Sequence, residues 1–178
     1  MRMRALISVL GLAASCAAQA ALPVGAAAPD FTADAALGGQ PFSFHLADAL
    51  KKGPVVLYFF PKAFTTGCTV EAHLFAEATD AFKAHGASVV GMSFDRIDTV
   101  RKFSTEECRS KFAVAADPDS KVIQSYDAKL VLVPGGMADR VSFLIGQDGK
   151  VKAVYSSMAP EGHVKAMLAA VEQLHKHQ

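Results

Sequence analysis

The stretch VVLYFFPKAFTTGCTVEA, residues 55–72, carries the clearest structural pattern in the chain. Its first part, Val55 to Phe60, is a continuous run of β-branched and aromatic residues, which is typical of a strand buried on both faces of a sheet. After a turn from Pro61 to Gly67, apolar residues at helical spacing predict a helix from Cys68 to Ala84. The inward face of this helix is predicted to hold Val70, Leu74, Ala78, Ala81 and Phe82. The stretch therefore predicts a central strand that leads directly into a helix.

Strand-like and helix-like patterns alternate through the rest of the chain. A strand is predicted from Ser88 to Phe94 and a polar helix from Thr99 to Arg109. Arg140 to Ile145 and Val151 to Tyr155 flank a turn with the sequence Gln-Asp-Gly-Lys, which predicts a hairpin. The last helix is predicted to bury Val164, Met167, Leu168, Val171 and Leu174. This order of elements predicts an α/β fold in which a mixed central β-sheet is flanked by helices.

The first twenty residues differ in pattern from the rest of the chain. Arg2 and Arg4 precede an apolar run, and small residues follow up to Ala18-Gln19-Ala20, which is typical of a secretory signal with an A-x-A cleavage site. We therefore expect a signal peptide at residues 1–20, one domain at 21–178, and a periplasmic or secreted protein. An alternative is a lipoprotein signal, in which Cys16 would be acylated and retained as an anchor.

The composition limits the classes of partner. With 51% apolar and 20% charged residues, the chain can bury one sizeable core. Loss of the two signal arginines leaves 16 basic and 17 acidic residues, a net charge of −1, so the mature chain has no electrostatic preference for nucleic acid or a membrane surface. Cleavage also leaves Cys68 and Cys108 as the only thiols, in a compartment where disulfides persist. A structural disulfide between them is one interpretation.

Cys68 lies where a thiolate would be stabilised. It falls in the first turn of the predicted helix, where free backbone N–H groups and the helix dipole favour an anion, and the thiolate is the nucleophilic form of cysteine. Thr65 and Thr66 can cap the helix or donate a hydrogen bond to a ligand, and Pro61 stiffens the turn. The alternative is that Cys68 is an inert buried side chain at a strand–helix junction.

Glu71 lies on the same side of the helix as Cys68 and would oppose a thiolate by its charge. A reactive Cys68 therefore needs a cation beside it, and Arg140, at the start of a later strand, is the candidate. The planar guanidinium can contact a carboxylate and an oxygen ligand at the same time.

The segment YFFPKAFTTGCTVEA resembles the active-site signature of peroxiredoxins, Pro-x-x-x-Thr-x-x-Cys, through Pro61, Thr65 and Cys68. The longer sequence around this motif is similar to that of the Q-type subgroup, also called bacterioferritin-comigratory proteins. The segment APDF at residues 28–31 and the segment RVSFLI at residues 140–145 resemble other parts of that subgroup. The resemblance covers roughly residues 25 to 175 and implies a thioredoxin-like fold.

The resemblance also implies a function and a role for each site residue. Cys68 would attack hydrogen peroxide or an organic hydroperoxide and become a sulfenic acid. Thr65 would bind the peroxide, Arg140 would polarise it and hold the thiolate, Glu71 would orient Arg140, and Pro61 would shield the site from water. No metal or organic cofactor is implied. A thioredoxin-like protein or a small thiol would be the reductant, and a monomer or weak dimer is expected.

The chain departs from the subgroup at one position. Where many members carry a resolving cysteine, five residues after the nucleophile, this chain has His73, which we expect to be a neutral, exposed helix residue. Cys108 is then the candidate resolving residue, and we expect the two thiols to lie apart in the reduced fold. The alternative is a one-cysteine enzyme reduced by an external thiol.

Two other functions stay open, and three histidines are expected to have none. A thioredoxin-type disulfide oxidoreductase would need C-x-x-C, but Thr65 occupies the place of the first cysteine. A copper-binding protein would use Cys68 with His73, although copper carriers of this fold use two close cysteines. The remaining candidate ligands, His163, His175 and His177, are predicted to lie on a solvated helix face.

Overall fold

The computed structural model describes residues 21–130, 133 and 135–176. The predicted signal peptide, Cys16 and His177 lie outside these residues. The described residues form seven strands and five helices: β1 (Thr32–Leu37), β2 (Gln40–His45), α1 (Leu46–Leu50), β3 (Val55–Phe59), α2 (Thr66–Ala84), β4 (Ser88–Ser93), α3 (Ile97–Glu106), β5 (Ala113–Ala116), α4 (Lys121–Ser125), β6 (Val141–Ile145), β7 (Val151–Ser156) and α5 (Glu161–Lys176).

The strands form one mixed sheet with the order β2-β1-β5-β4-β3-β6-β7. Strands β3, β4 and β5 are parallel to one another, whereas β6 is antiparallel to β3. β6 and β7 form the predicted hairpin. The predicted α/β fold with a mixed central sheet flanked by helices is therefore confirmed, and β3 lies near its centre.

The apolar side chains of β3 pack into the hydrophobic core on both faces of the sheet. Because successive side chains of a strand point to opposite faces, Val55, Leu57 and Phe59 join one buried cluster and Val56 and Tyr58 join the other. The first cluster is covered by α1 and α4, and the second by α2, α3 and α5. Burial on both sides explains why β3 lacks polar residues.

The first hairpin, β1 with β2, was not predicted from the sequence. Its turn consists of Gly38 and Gly39, whose φ angles of 55° and 77° lie in the left-handed region that glycine adopts without strain. A Gly-Gly pair between two strand-like segments is a hairpin signal, and it was available in the sequence.

Two details of the helix predictions are wrong. The buried face of α2 holds Cys68, Glu71, Ala72, Phe75, Ala76, Thr79 and Phe82. Of the predicted face, Phe82 is buried and Ala78 packs partly buried against the core. The positions of the large aliphatic residues predicted that another side of the helix faces the core. Small residues such as Ala72 and Ala76 face the sheet instead, and Val70 is exposed. Helix α3 ends at Glu106, so Cys108 lies after the helix and not within its last turn.

Candidate active site

Cys68 lies in the first turn of α2, directly behind the carboxyl end of β3. The backbone N–H of Thr69 donates to the Thr65 carbonyl at 2.9 Å, so the N–H groups that precede it in the helix have no partner within the helix. These groups and the helix dipole favour a negative charge at the Cys68 sulfur. The side chain is only 1% exposed.

The turn that presents Cys68 is held from the neighbouring strand. The Asp95 carboxylate accepts hydrogen bonds from the Ala63 N–H at 2.8 Å and from the Ser93 hydroxyl at 2.8 Å. Phe64 has a φ of 64°, a strained conformation for an aromatic residue. Sequence reasoning missed Asp95, because no local pattern connects it to Ala63, 32 residues away.

Thr65 and Pro61 both lie in this turn. Thr65 is the N-cap residue of α2, but its hydroxyl makes no capping bond. It donates instead to the Lys62 carbonyl at 3.0 Å, and its oxygen lone pairs can still accept a hydrogen bond. A capping role for the Thr65 side chain is therefore wrong. Pro61 is buried and Thr65 is exposed, so one side of the turn packs against the protein and the other contacts solvent.

Arg140 brings the sulfur and the carboxyl group together. Its Nη2 donates to Cys68 Sγ at 3.3 Å, and its Nη1 donates to Glu71 Oε2. Its Nε donates to the Met158 carbonyl at 3.1 Å, so the three nitrogens of the guanidinium each have a partner. Arg140 is 3% exposed and Glu71 is fully buried. The cation that the sequence required beside Cys68 and Glu71 lies in contact with both.

The Glu71 carboxyl group binds its proton more tightly than an ordinary glutamate does. Burial raises its pKa to about 8, although the contact with Arg140 acts in the opposite direction. Burial thus shifts the equilibrium of Glu71 toward its protonated form. A neutral Glu71 leaves the positive charge of Arg140 to act on the Cys68 sulfur.

His163 contradicts the prediction of a solvated histidine face. It lies in the first turn of α5 and is fully buried. Its Nδ1 is 2.8 Å from the Ser142 hydroxyl and 3.6 Å from Glu71 Oε1, and its Nε2 is 2.9 Å from the Ser157 carbonyl. His175, on the same helix, is exposed as predicted. Neither Ser142 nor His163 carried a sequence signal that distinguished it from a surface residue.

Cys108 is also buried, and neither of the two thiols forms a disulfide. Both cysteines belong to the buried cluster beneath α2, α3 and α5. Burial raises the pKa of the Cys108 thiol well above its ordinary value, and the charge of Glu107 acts in the same direction. In this conformation Cys108 is therefore a protonated thiol, the less nucleophilic form.

His73 is not the free, exposed residue that the sequence predicted. Its Nε2 lies 2.7 Å from Glu107 Oε2, so it links α2 to the residue that precedes Cys108. Within the part of the chain that the structure describes, no group of three potential ligands could hold a metal ion. The same residues contain no helix that is long and apolar enough to span a membrane.

A thiol in a helical first turn at the end of a central strand, with a buried arginine on its sulfur, defines the class of thiol-based redox proteins with a thioredoxin-like fold. The sequence model of the AhpC/TSA family matches residues 24–154. The chain is 31% identical over 137 residues to chloroplastic peroxiredoxin Q of Sedum lineare, covering 76% of this chain and 71% of the relative. It is 30% identical over 118 residues to peroxiredoxin Bcp of Escherichia coli K12, covering 64% and 75%.

A solved structure shows the same similarity. The peroxidoxin BcpB of Mycobacterium tuberculosis superimposes with a TM-score of 0.76 at 31% identity, over 85% of this chain and 97% of the relative. The chain belongs to the AhpC/TSA family, as a peroxiredoxin of the Q type, and is a thiol peroxidase.

Proposed function

We propose that this peroxidase is an exported enzyme that reduces hydrogen peroxide and organic hydroperoxides through a sulfenic acid on Cys68, and that a thioredoxin-like protein or another thiol regenerates it. The observation that carries the proposal is the 3.3 Å contact between Arg140 Nη2 and Cys68 Sγ in the first turn of α2. Helix and guanidinium together stabilise the thiolate, which is the attacking species.

The chemical step is a displacement at oxygen. The Cys68 thiolate attacks the terminal oxygen of the hydroperoxide, the S–O bond forms, and the O–O bond breaks. Sulfur is oxidised to the sulfenic acid, and the peroxide is reduced to an alkoxide or hydroxide, which takes a proton from solvent. Arg140 is placed to stabilise the charge that moves from sulfur to the leaving oxygen, and Thr65 offers a hydroxyl oxygen to the peroxide O–H.

Apolar residues on the neighbouring segments support the inclusion of organic hydroperoxides. Phe64, Val70 and Met158 expose 42%, 37% and 57% of their surface, respectively. Phe64 and Val70 flank Cys68 in the chain. Met158 follows β7, and its carbonyl accepts a hydrogen bond from Arg140 Nε. Phe64, at the turn before Cys68, and Met158, bonded to Arg140, are the side chains among these that an alkyl group next to the peroxide could contact.

Cys108 is our proposed resolving residue. Its thiol would attack the Cys68 sulfenic acid, forming a disulfide and releasing water, and a dithiol would then reduce the disulfide. Both sulfurs are buried, so the step requires the segment after α3 to open. Two observations support such opening. Arg109 and Ser110 have φ angles of 51° and 57°, each a strained conformation that costs about 1–3 kcal/mol. The polar contacts of the segment with α2, one hydrogen bond and two ion pairs, are exposed or half-buried.

Export rests on the sequence of residues 1–20, with Arg2, Arg4 and the Ala18-Gln19-Ala20 site. We propose cleavage after Ala20, so that the mature chain begins at Ala21. Mass spectrometry of the native protein gives its N-terminus. A chain that begins at Met1 contradicts export, and one that begins at an acylated Cys16 is a lipoprotein instead.

Peroxide consumption by the purified mature protein tests the proposed reaction. Hydrogen peroxide and an organic hydroperoxide are supplied in turn with a generic dithiol, and wild type is compared with Cys68→Ser and Cys108→Ser. We expect Cys68→Ser to be inactive, because no other group here has comparable nucleophilicity. Trapping with a dimedone probe should label Cys68 after one equivalent of peroxide. Retention of most of the rate in Cys68→Ser would refute the assignment.

A further inference from the structure

His163 is a fully buried histidine that the proposed reaction does not use, yet it lies directly behind the Arg140–Glu71 pair. A buried imidazole in this position is unlike the other described histidines of the chain, which are exposed or half-buried. Its contacts determine which nitrogen carries the proton and what each nitrogen does.

The Ser157 carbonyl fixes the tautomer of His163. A carbonyl oxygen only accepts, so the 2.9 Å contact requires a proton on Nε2. Burial lowers the pKa of His163, and the charge of Arg140 acts in the same direction, so the ring is neutral. Nδ1 is then an acceptor, and the Ser142 hydroxyl donates to it at 2.8 Å.

The acceptor nitrogen faces the free oxygen of Glu71. Glu71 Oε1 is buried and has no hydrogen-bond partner among the described residues, and it lies 3.6 Å from His163 Nδ1. Nδ1 carries a partial negative charge and its lone pair already accepts from Ser142, so it offers no proton to Oε1 and disfavours a negative charge there. His163 Nδ1 therefore favours the neutral carboxyl group, with the proton on the side away from Arg140.

His163 Nε2 contacts the turn at Ser157 and Met158, and this turn binds Arg140. His163 Nε2 holds the Ser157 carbonyl, and the next carbonyl, that of Met158, accepts from Arg140 Nε at 3.1 Å. The Ser157 N–H also donates to the Arg140 carbonyl at 3.2 Å. The side chain and the backbone of Arg140 are thus both bonded to the turn that His163 fastens.

The groups around His163 come from every element packed against it. Glu71 approaches from α2, Ser142 from β6, and Tyr155 from β7, with its ring edge-on at a centroid distance of 4.8 Å. Arg140 and Asp139 precede β6; the charge of Arg140 disfavours a protonated imidazole, and that of Asp139 favours it.

We propose that His163 is a positioning residue of the peroxidase site: it keeps the proton on Glu71 Oε1 and holds the Ser157–Met158 turn, so that Arg140 stays directed, with its charge uncompensated, at Cys68. The role in turnover rests on the proposed function. The effect on Cys68 itself does not, because it precedes any reaction with peroxide.

The test compares His163→Gln and His163→Phe with His175→Gln, an exposed residue of the same helix. A glutamine amide can replace the Nε2 donor but not the Nδ1 acceptor, and phenylalanine replaces neither. The first readout is the rate of Cys68 alkylation by iodoacetamide as a function of pH, in a Cys108→Ser background. The second is kcat/KM for hydrogen peroxide at pH 7, in variants that retain Cys108.

We expect the midpoint of the alkylation profile to move to higher pH by about half a unit in His163→Gln and about one unit in His163→Phe, where one unit is a tenfold change in thiolate population. The value of kcat/KM should fall by about 3-fold and 10-fold, respectively. His175→Gln should leave both unchanged. Folded variants with the wild-type alkylation profile would overturn the proposal.

A spectroscopic measurement on the wild-type protein covers the case in which the variants do not fold. Nitrogen-15 NMR of the reduced protein should show His163 protonated at Nε2 and unprotonated at Nδ1 at pH 7. A proton on Nδ1 would overturn the proposal without any mutation. If wild type consumes no peroxide, the proposed function fails, while the alkylation profiles and the tautomer still decide the role of His163.

Discussion

Gly67 leaves the space that the Arg140 guanidinium occupies. A β-carbon added at position 67 would lie 3.1 Å from Arg140 Nη2, the nitrogen that donates to Cys68 Sγ. Arg140 has little freedom to retreat, because its other two nitrogens are bonded to Glu71 and to the Met158 carbonyl. The absence of a side chain at Gly67 therefore makes room for the Arg140 guanidinium, and is not required by the backbone conformation of a turn.

Gly67→Ala should separate stability from activity. Gly67 lies within α2 without a left-handed φ, so alanine should favour the helix by about 0.5–1 kcal/mol. The added methyl group displaces the guanidinium by a few tenths of an ångström, and we expect kcat/KM to fall about tenfold at an unchanged or higher Tm. Lys83→Ala, at an exposed position of the same helix, is the control. Full activity in Gly67→Ala would show that the contact with Arg140 does not matter.

Arg140→Lys should be strongly impaired. An ammonium group cannot contact the Cys68 sulfur, Glu71 and the Met158 carbonyl in one plane, as the guanidinium does. Removal of one such preorganised donor costs on the order of 100-fold in rate, which is the loss we expect in kcat/KM. Arg101→Lys, an exposed arginine of α3, is the matched control. Near-normal turnover by Arg140→Lys would refute the role of the guanidinium.

Glu71 should give the enzyme an alkaline limit near pH 8. As the pH rises through its pKa of about 8, the carboxylate competes for Arg140 and adds a negative charge beside the thiolate, so wild-type kcat/KM should fall. Glu71→Gln cannot ionise and should lack this fall. The measurement is the pH–rate profile from pH 6 to about 9.5, with exposed Glu172→Gln as control.

The same group should affect stability with a defined sign. Its folded pKa, about 8, is above the ordinary value of 4.5, so the folded state binds the proton more tightly. The stabilisation is complete below about pH 4.5 and is lost as the pH rises to about 8. Chemical denaturation should therefore show wild type losing free energy of unfolding across this window relative to Glu71→Gln. A constant difference between the two proteins would contradict the raised pKa.

The parts of the fold that the sequence predicted are those in which local pattern and tertiary burial agree. Val55 to Phe60 reads as a strand because both its faces are buried, and the first turn of α2 was recognisable from the residues around Cys68. The phase of α2 was wrong because its buried face contains, besides Phe75 and Phe82, small and polar residues such as Glu71 and Thr79, which no hydrophobic pattern marks.

The residues of the site, too, could be predicted from the sequence only in part. Cys68, Glu71 and Arg140 could be nominated because a thiolate and a carboxylate on one helix require a cation. His163 could not, because its burial depends on Ser142, 21 residues away, and on a turn after β7 that no sequence pattern positions. Contacts of this kind exist only once the sheet has brought β6, β7 and α5 together.

The last prediction concerns the segment 107–111, which carries Cys108. Three polar contacts join it to α2: a hydrogen bond between Glu107 and His73 at 2.7 Å, and ion pairs of Arg109 with Glu77 at 3.2 Å and of Lys111 with Asp80 at 3.8 Å. Each such pair contributes about 0–1 kcal/mol, which is comparable with the strain of two left-handed residues in the same segment. Backbone hydrogen bonds from Cys108 and Ser110 to carbonyls of α3, and the burial of Cys108, also hold the segment, so weakening a contact with α2 should raise the open population without making it dominant.

Glu77→Gln, which breaks the pair with Arg109 and leaves the charge of Glu107 beside Cys108 unchanged, should release this segment more often and accelerate formation of the Cys68–Cys108 disulfide. Loss of up to about 1 kcal/mol raises the open population up to about 5-fold, and the rate after one equivalent of peroxide should rise by the same factor. Higher ionic strength should act in the same direction, because it screens the exposed ion pairs of Arg109 and Lys111. Asp119→Asn, which removes the exposed pair with Lys121, is the control. Rapid quenching and non-reducing peptide mapping measure the disulfide; if Cys108 stays free while Cys68 accumulates as sulfenic or sulfinic acid, the enzyme uses one cysteine.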